Sequence, residues 1–254
     1  MSIKPLLAGV TLLFVLTGTA YADSYWVQIE ANADAARKVA TKPGWQGSMS
    51  LGYLATTGNT NTRSLNGHAL AGYKSGKWQD ALSFQGINAS QNGVTTAQSY
   101  ELNGQSDYNF TDRDYVFGMA DYLRDTFSGY RRRTSEILGY GRRLLSTATQ
   151  QLDVEIGGGA RQTHYTNATD SSEFVERLAA SYLWKFSGKS NFSENIGDEH
   201  GTNNTFIQSI TALTTNLAGN FALSVSYTVR YNSNVLPGFK NTDTITSISL
   251  VYTF

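Results

Sequence analysis

Cysteine is absent from this chain of 254 residues, and proline and histidine each occur only three times. Without cysteine there is no disulfide framework, no thiolate nucleophile and no cysteine-ligated metal. The scarcity of histidine leaves few side chains for acid–base catalysis near neutral pH. An excess of charge of either sign is also missing, because 20 Lys and Arg balance 20 Asp and Glu. This balance argues against a nucleic-acid-binding face, which is normally basic.

Long apolar runs are missing as well, apart from one near the N-terminus. Residues 6–16 are predominantly apolar, Lys4 precedes them, and Ala20-Tyr21-Ala22 follows with small residues where a signal peptidase reads. These features predict a secretory signal peptide covering residues 1–22, with cleavage after Ala22. The alternative, an uncleaved helical anchor, requires roughly 20 apolar residues. We therefore interpret the protein as exported and derive the fold from the residues that follow.

The chain is instead rich in glycine, tyrosine and phenylalanine, with 24, 15 and 12 residues, and it alternates with a period of two from Trp45 onward. One row of the final segment shows this most clearly: Thr244, Thr246, Ile248, Leu250, Tyr252 and Phe254. The preceding run has an apolar row from Phe221 to Tyr231 and a more polar row from Ala222 to Arg230. Such alternation over about ten residues is typical of a strand between lipid and a polar interior.

Runs of similar length recur along the chain, and we count about twelve, with ten and fourteen as alternatives. A tilted strand of about ten residues crosses a bilayer. In lipid every backbone N–H and C=O needs an internal partner, so the sheet must close on itself. The sequence therefore predicts an all-β fold, a closed antiparallel transmembrane β-barrel over residues 45–254. A soluble periplasmic β-barrel is the competing fold, because half-buried soluble strands also alternate.

The connections between these runs alternate between short turns and longer polar loops. The predicted short turns lie at residues 75–77, 111–114, 146–150, 187–189 and 217–220. The predicted longer loops lie at residues 57–62, 91–98, 128–134, 165–173, 197–203 and 233–241. Bacterial barrels have short periplasmic turns and longer extracellular loops. With an even number of strands, both termini of the chain are predicted to lie in the periplasm.

Two further features flank or end the strands. Residues 23–44 differ in composition, and the alanine-rich stretch 30–40 predicts a short helix in a periplasmic lead-in, with a disordered tail as the alternative. At the other end the chain finishes with the outward-facing aromatic residues Tyr252 and Phe254. This ending resembles the C-terminal signal read by the barrel-assembly machinery, which we therefore predict as a partner during biogenesis.

The first predicted strand carries a resemblance to a known family. The run GWQGSMSLG at residues 44–52 is followed by TGNTNT at residues 57–62, and Lys77-Trp78 comes after the second strand. This pattern is similar to that of the bacterial salt-induced outer-membrane protein family, whose domain has no assigned function. The similarity covers residues 44–254. It implies an outer-membrane β-barrel of a Gram-negative bacterium, and it supplies neither a substrate nor catalytic residues.

Few residues suggest catalysis or metal binding. His68 has no hydroxyl side chain two positions on, and His164 has only Thr166 there, so neither matches a base placed next to a nucleophile. The run Asp-Glu-His at residues 198–200 falls in a predicted loop, and consecutive loop residues seldom converge on one ion. The glycines at 157–159 indicate a bend or close packing in a strand. We predict no catalytic residue, no metal and no cofactor.

One run of arginines suggests contact with lipid. Arg131, Arg132 and Arg133 fall in a predicted extracellular loop. Guanidinium groups match the geometry of phosphate, so the run is a candidate contact with the phosphates of lipopolysaccharide. A solvated charged loop is the alternative.

Eight charged residues fall on the polar side of the alternating runs and are candidates for lining the lumen: Glu101, Asp107, Asp153, Glu155, Arg161, Arg177, Lys185 and Arg230. Such a set either lines a pore, where charge governs ion preference, or forms a paired network in a narrow lumen. A barrel of twelve strands lies between filled small barrels and open large ones. The mixed signs favour the paired network.

These observations predict a non-enzymatic protein of the Gram-negative outer membrane, with lipid and lipopolysaccharide as surroundings and the monomer as the favoured state. The expected role is that of a structural barrel or a narrow channel, which the family resemblance links to salt or envelope stress. The alternatives are a surface or periplasmic binding module and, with least support, an outer-membrane hydrolase.

Overall fold

The fold was derived from a computed structural model that describes residues 43–56, 62–125, 130–166 and 169–254. The predicted signal peptide at residues 1–22 and the predicted helix at 30–40 lie outside the described residues. The first strand begins at Gly44, one residue before the predicted start of the barrel. Within the described parts of the chain, no helix is long and apolar enough to cross a membrane.

Twelve β-strands make up the described chain. Their bounds are β1 Gly44–Thr56, β2 Thr62–Ser75, β3 Trp78–Gln91, β4 Val94–Asn109, β5 Asp114–Asp125, β6 Tyr130–Ser146, β7 Gln150–Tyr165, β8 Ser171–Trp184, β9 Ser190–Gly201, β10 Thr205–Ala218, β11 Phe221–Asn232 and β12 Thr242–Thr253. Each has at least 12 residues, enough to cross a bilayer at a tilt.

Every strand pairs antiparallel with its neighbours in sequence, and β12 pairs with β1, so the sheet closes into a barrel. The closing seam runs from Ser48 opposite Thr253 to Leu51 opposite Leu250. Two further backbone hydrogen bonds join Gly47 to Phe254 at 3.0 and 3.1 Å. The predicted closed antiparallel barrel and its twelve strands are confirmed.

Alternate residues of each strand face opposite sides of the wall, as the period of two predicts. On the outer side Trp45 is 74% exposed and Leu138 is 75% exposed. On the inner side Leu123, Val251 and Arg230 are almost completely buried. An apolar outer surface around a largely polar interior inverts the arrangement of a soluble domain, and it is the arrangement expected in a membrane barrel.

Aromatic residues concentrate at the end of the barrel that holds Gly44 and Phe254, which we call the terminal rim. Three pairs of outward rings there have centroids 5.0–5.2 Å apart: Trp45 with Tyr73, Trp78 with Tyr108, and Phe221 with Tyr252. Tyrosine and tryptophan favour membrane interfaces because one part of each side chain is apolar and another is polar. The rings therefore form an aromatic girdle at this rim.

The predicted difference in loop length between the two ends is only partly correct. The connection between β3 and β4 is a two-residue turn of Asn92 and Gly93, although residues 91–98 were predicted as a loop. Both turn residues have positive φ, +50° and +80°, which matches the twist of a tight hairpin and suits the Asn-Gly pair. Strand β9 likewise continues to Gly201, into the predicted loop 197–203. The outward side chains at these strand ends are polar, so the segments were predicted as loops instead of strands.

The three glycines of β7 mark a close approach between two strands. Gly157 and Gly159 face inward and lie opposite Gly139 and Ile137 of β6. A Cβ atom at Gly159 would overlap the carbonyl oxygen of Glu136, and one at Gly157 would lie 2.8 Å from the carbonyl oxygen of Leu138. The prediction of close packing at residues 157–159 is therefore confirmed.

Candidate functional site in the barrel lumen

Most of the charged residues predicted for the lumen have buried side chains inside the barrel. Glu101, Asp107, Glu155, Arg161 and Arg230 are each at most 7% exposed. The Arg177 side chain is 11% exposed and also faces inward. Asp153 lies on the inward row of β7, where it borders a cavity described below.

Lys185 is the member of the predicted set that lies outside the strands. It follows β8 directly, in the turn that leads to β9. Burial lowers the pKa of this ammonium group, because a poorly solvated site disfavours its charged form.

Arg230 is at the centre of one buried ion cluster, which we call the Arg230 cluster. Its guanidinium donates to Glu101 Oε2 at 2.7 Å and to Asp125 Oδ2 at 3.1 Å. It also donates to Ser99 Oγ at 3.0 Å and to Gln85 Oε1 at 3.3 Å. Arg230 belongs to β11 and Asp125 to β5, six strands apart in a ring of twelve. The cluster therefore connects opposite walls of the barrel.

Arg161 is at the centre of a second buried cluster, which we call the Arg161 cluster. Its Nη2 donates to Glu173 Oε1 at 2.8 Å, and its Nη1 lies 3.6 Å from Glu199 Oε2. Ser135 Oγ donates to Glu199 Oε2 at 2.9 Å, and Arg161 also donates to the backbone carbonyl of Asn204. These contacts join the inner faces of the four consecutive strands β6, β7, β8 and β9.

Glu155 extends the polar network toward the terminal rim. Tyr115 donates its hydroxyl proton to Glu155 Oε1 at 3.0 Å, and Gln105 donates to the same oxygen at 2.9 Å. Arg177 lies between two acids, 4.0 Å from Glu155 Oε2 and 3.9 Å from Glu199 Oε1. Glu155 thus links strands β4, β5 and β7 below the two arginine clusters.

The rest of the lumen is filled by an apolar cluster and by small side chains on the facing wall. Buried apolar residues pack together on β5, β6 and β8: Tyr115, Phe117, Met119, Ile137 and Val175. The opposite wall offers small residues that are at most 7% exposed: Ser48, Ser50, Ala222, Ser224 and Ser249. Large side chains on one wall therefore face small ones on the other.

The sequence reasoning missed several charged residues of the described interior, among them Asp121, Asp125, Arg133, Glu173 and Glu199. Arg133, Glu173 and Glu199 fell in segments predicted as loops, but each continues the inward row of its strand. Extending the two-residue alternation from the inward residues Ser135, Val175 and Asn195 of the same strands would have identified them.

The prediction that Arg131, Arg132 and Arg133 contact lipopolysaccharide is wrong for Arg133. The three arginines lie on β6 rather than in a loop. Arg133 is 2% exposed, faces the lumen and stacks on the Phe206 ring at 3.5 Å from its centroid. It therefore cannot reach lipopolysaccharide, whereas Arg131 and Arg132 are exposed. The cause of the error is that β6 extends further than its polar end suggested.

The run 198–200 was also predicted as a loop, and this prediction is wrong, because all three residues lie on β9. Glu199 enters the lumen, whereas His200 faces outward and its Nδ1 lies 2.9 Å from Thr205 Oγ1. Among the described residues, no group of three or more His, Asp or Glu is placed to hold a metal ion.

A cavity of about 440 Å³ opens at the terminal rim, below the clusters, and we call it the terminal vestibule. Its lining includes Lys74, Gln79, Asn109, Arg143 and Asp153. Arg143 Nη2 donates to Asn109 Oδ1 at 2.7 Å, and its Nη1 donates to the backbone carbonyl of Asp112 at 3.2 Å. The vestibule is thus a polar cavity at the terminal rim of the barrel.

Comparison with known proteins agrees with this description. The structure resembles the COG4313 outer membrane channel from Pseudomonas putida F1, with a TM-score of 0.50, 10% identity and coverage of 85% of this chain and 97% of that chain. It also resembles the NanC porin, with a TM-score of 0.48, 9% identity and coverage of 82% and 97%. At 10% identity the likeness to the COG4313 channel shows the barrel fold alone.

Sequence comparison identifies the family to which the chain belongs. The uncharacterized protein YdiY of Escherichia coli (strain K12) is 31% identical over 214 residues, which cover 84% of each chain. A family model described as "Protein of unknown function, DUF481" matches residues 49–254. This match spans the barrel from β1 to the last residue and agrees with the resemblance carried by the first strand. The chain therefore belongs to the DUF481 family of proteins of unknown function.

Proposed function

We propose that this protein is a narrow channel in the outer membrane of a Gram-negative bacterium, and that the Arg230 and Arg161 clusters hold it closed. The observation that carries the proposal is the hydrogen bonding of Arg230 to residues of β3, β4 and β5 on the facing wall. An open pore would leave such charged side chains in contact with water, whereas these are almost fully buried. The proposed role is non-enzymatic.

The conductance of the wild-type protein tests this proposal. The mature barrel, refolded in detergent and inserted into a planar bilayer, is expected to show no regular conductance steps at moderate voltage. The physical reason is that ions cannot pass a lumen occupied by packed side chains. An open porin reconstituted in parallel gives the positive control. Regular steps of porin size from the wild-type protein would contradict the closed state.

The resemblance to the salt-induced outer-membrane family extends the proposal to a role under salt or envelope stress. The strength of ion pairs depends on ionic strength, and buried pairs are screened less than exposed ones.

A periplasmic binding module is a second candidate, and the terminal vestibule favours it. Among the described residues, Arg143 donates its hydrogen bonds to neutral oxygens, namely those of the Asp112 backbone, Asn109 and Gln79. A guanidinium held in this way keeps its charge available to an anion that enters the vestibule. Vestibule binding without conductance in any variant would favour this candidate over the channel.

We further propose that Tyr252 and Phe254 act as the assembly signal read by the barrel-assembly machinery. Phe254 is 60% exposed on the outer surface, while its backbone closes the seam with Gly47. The replacement Phe254→Ala keeps those backbone bonds and removes only the ring. We expect a several-fold loss of folded barrel in cell envelopes, measured as the heat-modifiable band on gels. Thr253→Ala, one residue earlier and facing inward, is the control, and an equal loss in both variants would argue against the signal.

A further inference from the structure

Four basic side chains form a row across three neighbouring strands at the rim opposite the terminal rim. The row, called here the basic row, consists of Arg124 on β5, Arg131 and Arg132 on β6, and His164 on β7. The three arginines are exposed, and the His164 side chain is 32% exposed.

A β-bulge brings these residues together. Between Leu123 and Asp125 the register of β5 against β6 shifts, so Arg124 lies beside Arg131 and Arg132 instead of opposite a single residue. On the other side of β6, Arg132 pairs directly with His164 of β7. Bulges re-aim side chains in this way. The shifted register thereby places three arginines next to one another on the outer wall.

Hydrogen bonds orient the row, and its one carboxylate contact among the described residues is made by His164 rather than by an arginine. Arg132 Nη2 lies 3.1 Å from His164 Nε2, and His164 Nδ1 lies 2.7 Å from Asp170 Oδ2. Because a guanidinium only donates, Nε2 accepts from Arg132, and Nδ1 carries the proton that is donated to Asp170. Arg131 Nε donates to the backbone carbonyl of Tyr165 at 3.4 Å. In the described ranges, no carboxylate forms an ion pair with any of the three arginines.

The position of the basic row indicates its partner. The row lies at the strand ends away from the chain termini, the extracellular end of a barrel whose termini are periplasmic. Tyr122, two residues before Arg124 on the same outer face, is 41% exposed. Tyrosine rings mark the membrane interface, so the arginines just beyond this ring reach the level of lipid headgroups. Glu136 lies four residues from Arg132 along β6, about 13 Å away at the usual strand rise, too far to neutralise it.

We propose that the basic row binds the phosphate groups of the outer-leaflet glycolipid, the phosphorylated glucosamine headgroup of lipid A. Arginine pairs with phosphate through two parallel N–H donors, and clustered arginines hold a doubly charged headgroup. The site differs from the run predicted by sequence, because Arg133 is lost to the lumen and Arg124 and His164 take part instead.

Binding of lipid A to the purified mature barrel tests the proposal. Native mass spectrometry in detergent counts bound lipids after addition of bisphosphorylated lipid A, dephosphorylated lipid A or inorganic phosphate alone. The wild-type protein is expected to bind the bisphosphorylated lipid at least tenfold more tightly than the dephosphorylated one. The triple variant R124Q/R131Q/R132Q is expected to lose this preference.

Matched variants control for charge and folding. Arg63 lies exposed on the outer row of β2, on a different part of the wall, and R63Q removes one outer-face charge while leaving the preference intact. If the triple variant folds poorly, the single variants R124Q and R132Q replace it in the comparison of the two lipids. Each is expected to weaken binding of the bisphosphorylated lipid several-fold. Equal binding of both lipids by the wild-type protein, or an unchanged preference in the triple variant, would overturn the proposal. Displacement of the lipid by millimolar inorganic phosphate would assign the site to free phosphate instead.

Discussion

Replacing Arg230 by alanine is expected to turn the silent barrel into a conducting one. Arg230 is the long inward side chain of β11, and the inward residues before it are Ala222, Ser224, Ser226 and Thr228. Without the guanidinium, the contacts from β11 to Glu101 and Asp125 disappear, and small polar side chains remain along this wall. Single-channel recordings should then show discrete steps that the wild-type protein lacks.

The selectivity of the opened lumen should reveal which charges remain. In the Arg230→Ala variant, Glu101 and Asp125 lose the guanidinium of residue 230, so the balance of lumen charge becomes more negative and the current should prefer cations. In the triple variant R230A/E101Q/D125N the steps should persist while the cation preference falls. Reversal potentials in a salt gradient measure this difference. A folded Arg230→Ala variant as silent as the wild-type protein would show that the Arg230 cluster does not close the lumen.

Stability should change in parallel with conductance. Breaking a buried ion pair from one side leaves an uncompensated charge and typically costs about 3–5 kcal/mol. The single variant should therefore unfold at a lower urea concentration than the wild-type protein, and the triple variant should recover part of the loss. Arg63→Ser, on the outer face of β2, is the control for the loss of a positive charge and should leave both properties unchanged.

Replacing Gly159 by alanine is expected to prevent or severely weaken assembly of the barrel. The added Cβ would overlap the carbonyl oxygen of Glu136 and lie 2.8 Å from the Ile137 Cα. Both contacts are with backbone, so relief requires β6 and β7 to separate. Overpacking of this kind costs about 1–3 kcal/mol or more, and here it also interferes with the hydrogen bonds of the strand pair.

Gly67→Ala is the matched control for this substitution. Gly67 also lies within a strand, but the nearest atoms to an added Cβ are 3.8 Å away, at ordinary contact distance. The fraction of heat-modifiable barrel and the urea midpoint should be close to those of the wild-type protein for Gly67→Ala and clearly reduced for Gly159→Ala. Similar behaviour of the two variants would mean that the close approach of β6 and β7 is not required.

Residues that face lipid or lumen were predictable from sequence wherever the alternation was regular. The rows of β11 and β12 were assigned correctly because Phe221, Val225 and Tyr227 on one side contrast with Ser224 and Arg230 on the other. The prediction of the two faces failed at the strand ends, as at Arg133 and Glu199. Polar residues occupy both faces there, so the alternation between apolar and polar residues is lost. The turn at Asn92-Gly93 was available in the sequence, since this pair is the strongest short signal for a hairpin.

The partners of the buried charges were not predictable. Arg230 and Glu101 are 129 residues apart in sequence, and Arg230 and Asp125 are 105 apart. Their meeting depends on the stagger of all the strands between them, because a shift by one residue would turn a side chain to the other face. The alternation by itself determined that the chain closes into a barrel, since lipid leaves no backbone group unpaired. Only the tertiary structure decided which inward charges meet across the lumen, because registers accumulated around twelve strands set which inward side chains lie opposite one another.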